Sequence, residues 1–346
     1  MADNRLKLVI ERNIPFIAGV ADVYADVEYL AADAITREAV ADADAIVVRT
    51  RTRCGRDLLE GSRVRMVVTA TIGTDHIDME YCRTKGIEVR NAPGCNAPAV
   101  SQYVLASVAT LMNRPIEQHT IGIVGVGHVG KIVERWARAL DMRVLLCDPP
   151  RAREEGPEAF TDLDTIAREA DIITFHTPLT TDGEDATFHM ADKAFFGKLR
   201  RAPIVINAAR GGVADTDALT EAIRAGIAGH AVVDCWENEP DISTELLELA
   251  SVATPHIAGY SLQGKVRASQ MALDALSDFF GLPGMKADAP EECRSTAVAK
   301  TVTVQALEQS YLPMDDTQTL RNNPKNFEAL RNNYDYRQEP QTGKID

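Results

Sequence analysis

Residues 120–148, TIGIVGVGHVGKIVERWARALDMRVLLCD, constrain the fold more tightly than any other stretch of the chain. Ile121, Ile123 and Val124 form a short apolar run that predicts a strand. Gly125, Gly127 and Gly130 follow in a G-x-G-x-x-G pattern. Val129, Ile132, Val133, Trp136, Ala137 and Leu140 then recur at the spacing of one helix face. Residues 144–147 predict a second strand, ended by Asp148. Strand, glycine turn, helix and strand form the unit that opens a doubly wound α/β sheet.

Each residue of this unit has a physical job if a dinucleotide binds. Gly125 permits the sharp turn, Gly127 lets the backbone approach the pyrophosphate, and Gly130 lets helix and strand pack closely. The N–H groups of His128, Val129 and Gly130 open the helix and attract phosphate oxygens. The His128 side chain either approaches the pyrophosphate or faces solvent. Asp148 lies 18 residues after Gly130, where a carboxylate accepts from ribose hydroxyls and repels a 2′-phosphate. NAD is therefore the expected cofactor, although Arg151 stands near enough to weaken that preference.

The rest of the chain continues the alternation of strands and helices. Residues 6–10, 45–48, 66–68 and 87–89 predict strands of a first parallel sheet. Residues 121–125, 143–147, 172–176, 203–208, 231–235 and 252–254 predict those of a second. The very apolar segment 97–112 predicts the helix joining the two, and the amphipathic segment 262–280 a helix that returns to the first. The expected class is α/β: two doubly wound parallel-sheet domains, a Rossmann NAD domain at 97–261 inserted in a flavodoxin-like substrate domain at 1–96 and 262–283. A cleft between the domains is expected. Residues 284–346 form a separate C-terminal segment, with a strand at 301–304, a polar stretch at 315–340 and a disordered end. That polar stretch is either a partly ordered tail or a piece that folds against another subunit.

Composition narrows the function. With 346 residues and 45% apolar content, the chain is long enough for two substantial cores. A net charge of −14 argues against nucleic acid or an anionic membrane as partner. The six cysteines form neither C-x-x-C nor zinc spacing, so core thiols in a reducing cytoplasm are expected, with no metal. The N-terminus lacks a secretory pattern, and no run approaches the ~20 apolar residues needed to cross a bilayer.

Three polar sites follow predicted strands: Asn207–Gly212, Asp234–Pro240 and Thr254–Tyr260. In a sheet of this kind all three face the side that carries the glycine turn. Oxidising an alcohol needs a base for the hydroxyl proton while hydride leaves carbon for a nicotinamide. His256 suits that base, and Glu239 is the candidate to orient its ring. Arg210 supplies a two-pronged donor for a substrate carboxylate, and Asp234 reaches toward a nicotinamide carboxamide. Singly, each residue also reads as a turn histidine, a solvated acid or a surface arginine.

Arg210, Glu239 and His256 in these surroundings resemble the D-isomer-specific 2-hydroxyacid dehydrogenases over about residues 6–281. The stretches TATIGTDHID (69–78), LLCDPPRA (145–152), TFHTPL (174–179), HIAGYSLQGK (256–265) and FEALRNNYDYR (327–337) narrow the likeness to members acting on a phosphorylated four-carbon acid. The resemblance implies NAD-linked oxidation of 4-phospho-D-erythronate at C2, a step of vitamin B6 formation, by a homodimer built through a C-terminal domain. It makes Arg210, Glu239 and His256 catalytic, and Asp148, Thr177, Asp234 and Gly259 cofactor contacts. Thr50, Thr71 and Tyr260 become substrate contacts. His128 and Thr50 stand where these enzymes more often carry Asn and Ser. The distal phosphate calls for further cations. Arg49, Arg51 and Arg53 alternate along one extended stretch, as a phosphate site or as a solvated basic edge. Other 2-hydroxy acids, such as 3-phosphoglycerate or glycerate, and an NAD-sensing regulatory role are the competing readings.

Overall fold

The computed structural model describes residues 5–293 and 297–340; the expected disordered end at 341–346 lies outside them. The chain forms two compact units, one of residues 1–96 and 262–297, the other of 97–261 and 298–346.

In the first unit, β1 (Leu6–Glu11), β2 (Ala25–Leu30), β3 (Ala45–Val48), β4 (Met66–Thr69) and β5 (Glu88–Arg90) form one sheet. It is fully parallel with order β2-β1-β3-β4-β5, the flavodoxin-like order. Residues of β3 and β4 alternate between two cores. Ile46, Val48 and Val67 point into one, and Ala45, Val47, Met66 and Val68 into the other. The helix Leu262–Phe280 sets Ala272, Leu273 and Leu276 into the second of these cores. Strand β2 was absent from the sequence expectation. Its residues ADVEYL carry two acids and only half-bury, as suits an edge strand, so no apolar run announces it.

In the second unit, β6 (Thr120–Val124), β7 (Arg143–Cys147), β8 (Ile172–Phe175), β9 (Ile204–Asn207), β10 (His230–Val233) and β11 (Val252–Ala253) make a parallel sheet. Its order is β11-β10-β9-β8-β6-β7. The direction of winding reverses between β6 and β8, and such a reversal opens a crevice at the carboxyl ends of the strands. The glycine turn follows β6, and His176 and Thr177 follow β8. Alternating residues again fill two faces: Ile173, Phe175, Val205 and Val233 on one, Ile121, Ile123, Ile206 and Val232 on the other.

The segment after 298 differs from expectation. Residues 301–303 belong to no strand, and a helix runs over Val304–Ser310. Thr303, read as part of a strand, caps that helix by accepting from Ala306 N at 3.1 Å. Val302, Leu307 and Tyr311 are buried in the core that also holds Tyr103 from the helix Ala97–Leu111. The helix Pro313–Asn322 covers the edge strand β11, where Thr317 Oγ1 accepts from Ala253 N at 3.1 Å. Leu320 and Phe327 sit in the opposite core. The polar stretch is thus ordered against its own chain, with a few deep apolar anchors and a solvated remainder.

Leu320 is fully buried among second-unit side chains. Leu320→Ala is expected to cost about 2–4 kcal/mol in chemical unfolding. A change near zero would mean that the helix does not dock there.

Candidate active site

The glycine turn has the geometry its spacing predicts. Gly125 sits at φ +88°, and a Cβ there would come within 2.8 Å of the His176 carbonyl carbon. A Cβ on Gly130 would lie 2.2 Å from Gly125 O, whereas Gly127 faces open space. The helix His128–Ala139 begins at Gly127 with no side-chain cap. Among the described residues no side chain caps its first N–H groups, as suits an anion site. His128 is exposed and Val129 half-buried.

Asp148 ends β7 beside this turn. Its Oδ2 accepts from Val126 N at 2.8 Å and its Oδ1 from Arg151 N at 3.2 Å. The Arg151 guanidinium donates to both Glu155 carboxylate oxygens, at 2.7 and 2.6 Å, and to Val126 O at 2.7 Å. That arginine is tied down by an acid of its own helix, which weakens it as a receptor for a 2′-phosphate. Thr177 Oγ1 lies 3.9 Å from Met190 Sδ near the same strand ends. His176 is half-buried, and desolvation pushes its imidazole down to about 3, so it is neutral. These features fit a dinucleotide: a bare cradle, an uncapped helix start and a carboxylate at the ribose position.

Arg210, Glu239 and His256 meet in one cavity of about 350 Å³, with Gly212, Trp236 and Leu179 also in its wall. Nδ1 of His256 donates to Glu239, 2.8 Å from Oε2 and 3.0 Å from Oε1. A carboxylate only accepts, so the proton is on Nδ1. Glu239 Oε1 also accepts from Trp236 N at 2.9 Å. Burial works to raise the Glu239 carboxyl. The bond from His256, that ring's charge, the Trp236 N–H and Arg331 outweigh it and hold the carboxyl below the usual range. Burial likewise opposes the imidazolium, but Cys235 and Glu239 beside the ring favour it, and His256 lies well above 6.5.

His256 itself adopts φ +56°, an unusual conformation for a residue with a side chain. Asp234 explains how it persists. Expected to reach a nicotinamide, Asp234 is only 1% exposed. Its Oδ1 accepts from Ile257 N at 2.7 Å, Ala258 N at 3.0 Å and Thr254 Oγ1 at 2.7 Å. Tyr103 Oη lies 2.8 Å from that same Thr254 hydroxyl. On the other side of the loop, Arg337 donates to the carbonyls of Ile257 (3.0 Å), Tyr260 (3.1 Å) and Ala258. Sequence reasoning gave Arg337 no role, although it closes the stretch 327–337 that carries the family likeness.

Cys235, Glu239 and His256 also bring three metal-capable atoms within 4.8 Å of one another. Nδ1 and the carboxylate already bond each other, so a metal there would break the pair. Thr50, Thr71, Arg49 and Arg53 belong to the five-stranded unit, just past β3 and β4. Thr71 Oγ1 lies 2.6 Å from Thr69 Oγ1, Arg49 donates to Asn13 O at 3.2 Å, and Arg51 and Arg53 are exposed around buried Thr52.

Residues 96–258 match the profile described as "D-isomer specific 2-hydroxyacid dehydrogenase, NAD binding domain". Over 344 residues the chain is 47% identical to an erythronate-4-phosphate dehydrogenase of Bacteroides thetaiotaomicron, covering 98% of this chain and 99% of that one. The chain belongs to the erythronate-4-phosphate dehydrogenase family. A relative of the same name from Porphyromonas gingivalis is 41% identical, with 96% and 94% covered. A D-lactate dehydrogenase from Aquifex aeolicus, solved with NAD and lactic acid, superposes with a TM-score of 0.68 at 25% identity, covering 80% of this chain and 95% of that one. The matched NAD-binding profile spans the glycine turn. Among the described residues, no helix is long and apolar enough to cross a membrane.

The Glu239–His256 pair makes stability depend on pH with a definite sign. The His256 pKa is raised, so its contribution is full below 6.5 and fades as pH climbs through the folded value. The Glu239 pKa is lowered, so its contribution is full above 4.5 and fades as pH falls through the folded value. Glu239→Gln is therefore expected to destabilise most between pH 4.5 and 6.5. The loss should be about 2–4 kcal/mol there, shrinking on either side. A loss independent of pH would contradict the pairing.

Proposed function

We propose that this chain oxidises 4-phospho-D-erythronate at its C2 hydroxyl with NAD, giving 2-oxo-3-hydroxy-4-phosphobutanoate on the route to pyridoxal phosphate. One observation carries the reading: in a member of this family, an imidazole bonded through Nδ1 to a carboxylate shares a cavity with a guanidinium. His256 takes the hydroxyl proton on Nε2, because Glu239 keeps Nδ1 protonated and stabilises the imidazolium that forms. Arg210 holds the substrate carboxylate in a two-pronged grip and so aligns C2. NAD, when bound, supplies the hydride acceptor. Gly125, Gly127, His128, Val129 and Gly130 hold its pyrophosphate, Asp148 its ribose, and Thr177 and Gly259 the remainder. Asp234 acts through the loop it ties down.

Tyr260 is assigned to the substrate, as are Thr50 and Thr71 of the five-stranded unit. Arg49 and Arg53 there have the charge a phosphate needs. The assembly is taken to be a homodimer in the cytoplasm, a compartment that suits six buried free thiols.

A panel of 2-hydroxy acids with NAD tests this reading. The phosphorylated four-carbon acid should be turned over far better than glycerate or 3-phosphoglycerate, and His256→Ala should lower kcat by about 10²–10⁴-fold while NAD still binds. Equal turnover of unphosphorylated acids would overturn the substrate assignment. Tight NAD binding without any reduction would favour a sensor instead.

A further inference from the structure

The helix Phe327–Asn332 brings a cation to the Glu239 carboxylate. Phe327, 1% exposed, anchors that helix in the core of the six-stranded unit. Arg331 follows on the same short helix with its side chain only 21% exposed. Its Nη1 lies 3.8 Å from Glu239 Oε2, the oxygen that also takes the His256 Nδ1 bond. Its Nε donates to Tyr260 Oη at 3.3 Å. Glu328, at 3.9 Å from Nη1, is its other acidic neighbour. The guanidinium therefore bridges the carboxylate that orients the base and the tyrosine that ends the base's own loop.

We propose that Arg331 is a positioning residue for the oxidation, holding the Glu239 carboxylate and Tyr260 in place and offsetting part of that carboxylate's pull on the His256 ring. The proposal rests on reading His256 as the base. A base for alcohol oxidation must be neutral when substrate arrives. A half-buried carboxylate at 2.8 Å works the other way, because it favours the imidazolium. A fixed cation on the same oxygen opposes that pull, and partial burial keeps the opposition strong. Other charged groups face the pair as well. Arg210 and Glu237 share its cavity, and Asp234 and Cys235 adjoin the ring from the end of β10. Arg331 differs from Arg210 in approaching the carboxylate itself.

The test is the pH profile of kcat/KM in the oxidation direction for Arg331→Gln, Arg331→Met and Arg331→Lys. The two neutral variants should move the acidic limb to higher pH, since removing the cation stabilises the imidazolium. Below the limb, the rate should fall about tenfold for each unit of displacement. Lys should return the limb toward its parental place, and NAD affinity should hold in all three. An unmoved limb in the neutral variants, or an equal displacement in Lys, would overturn the proposal. If the neutral variants do not fold, Glu328→Gln carries the test: freeing Arg331 from its competing acid should move the limb to lower pH, and an unmoved limb would overturn the idea. His256→Ala is run in parallel. Activity surviving that change defeats the base assignment, whereas a dead His256→Ala with an unmoved limb defeats only the role of Arg331.

Discussion

A buried carboxylate, Asp234, holds the loop on which the rest of the site depends. Withdrawing a carboxylate from water costs several kcal/mol unless its oxygens are satisfied. Here two backbone N–H groups and a threonine hydroxyl satisfy it, and all three belong to residues 254–258. The carboxylate and the loop are stable only together. That mutual dependence fixes His256 at φ +56°, from which its ring reaches Glu239. Bonds within the chain therefore set the place of the ring, and fixed dipoles and charges contribute most to catalysis when they need not reorganise.

A second constraint acts from the other side of the same loop. Arg337 binds three of its carbonyls, and Ser261, just after the loop, makes an isolated parallel bridge with that residue and donates to Glu339 at 2.6 Å. The loop is thus clamped through its N–H groups by a strand-end acid and through its C=O groups by a residue near the end of the chain. An arginine suits this position because its planar fork satisfies several acceptors at once. Residues 298–340 pair with the loop that carries His256 as well as packing on a core, so their polar composition reflects the partners they meet.

How much of this was legible in sequence follows from the range of each interaction. The glycine turn was legible because its parts lie within 29 residues and each has a distinct backbone requirement. The buried strands were legible because their apolar runs are continuous. The meeting of Arg210, Glu239 and His256 in one cavity was legible because each follows such a run, and parallel topology gathers the strand ends. Strand β2 was not, because an edge strand needs only one apolar face and carries acids on the other. The helix at Val304 was misread because the β-branched TVTV run favours extension locally, while Thr303 is used as a cap and Leu307 is drawn into the core. The grip of Asp234 on residues 254–258 was hidden because a carboxylate that binds backbone looks, in sequence, like one that binds a ligand. The roles of Arg331 and Arg337 were hidden by distance along the chain, since the loop residues they bind lie 70 or more residues away.

The central claim is that Glu239 sets which nitrogen of His256 carries the permanent proton. Nitrogen-15 NMR of the His256 ring across a pH series reads this directly. Nδ1 should stay protonated at every pH at which the protein is folded, and Nε2 should be the nitrogen that titrates. A neutral ring protonated on Nε2, with Nδ1 bare, would contradict it.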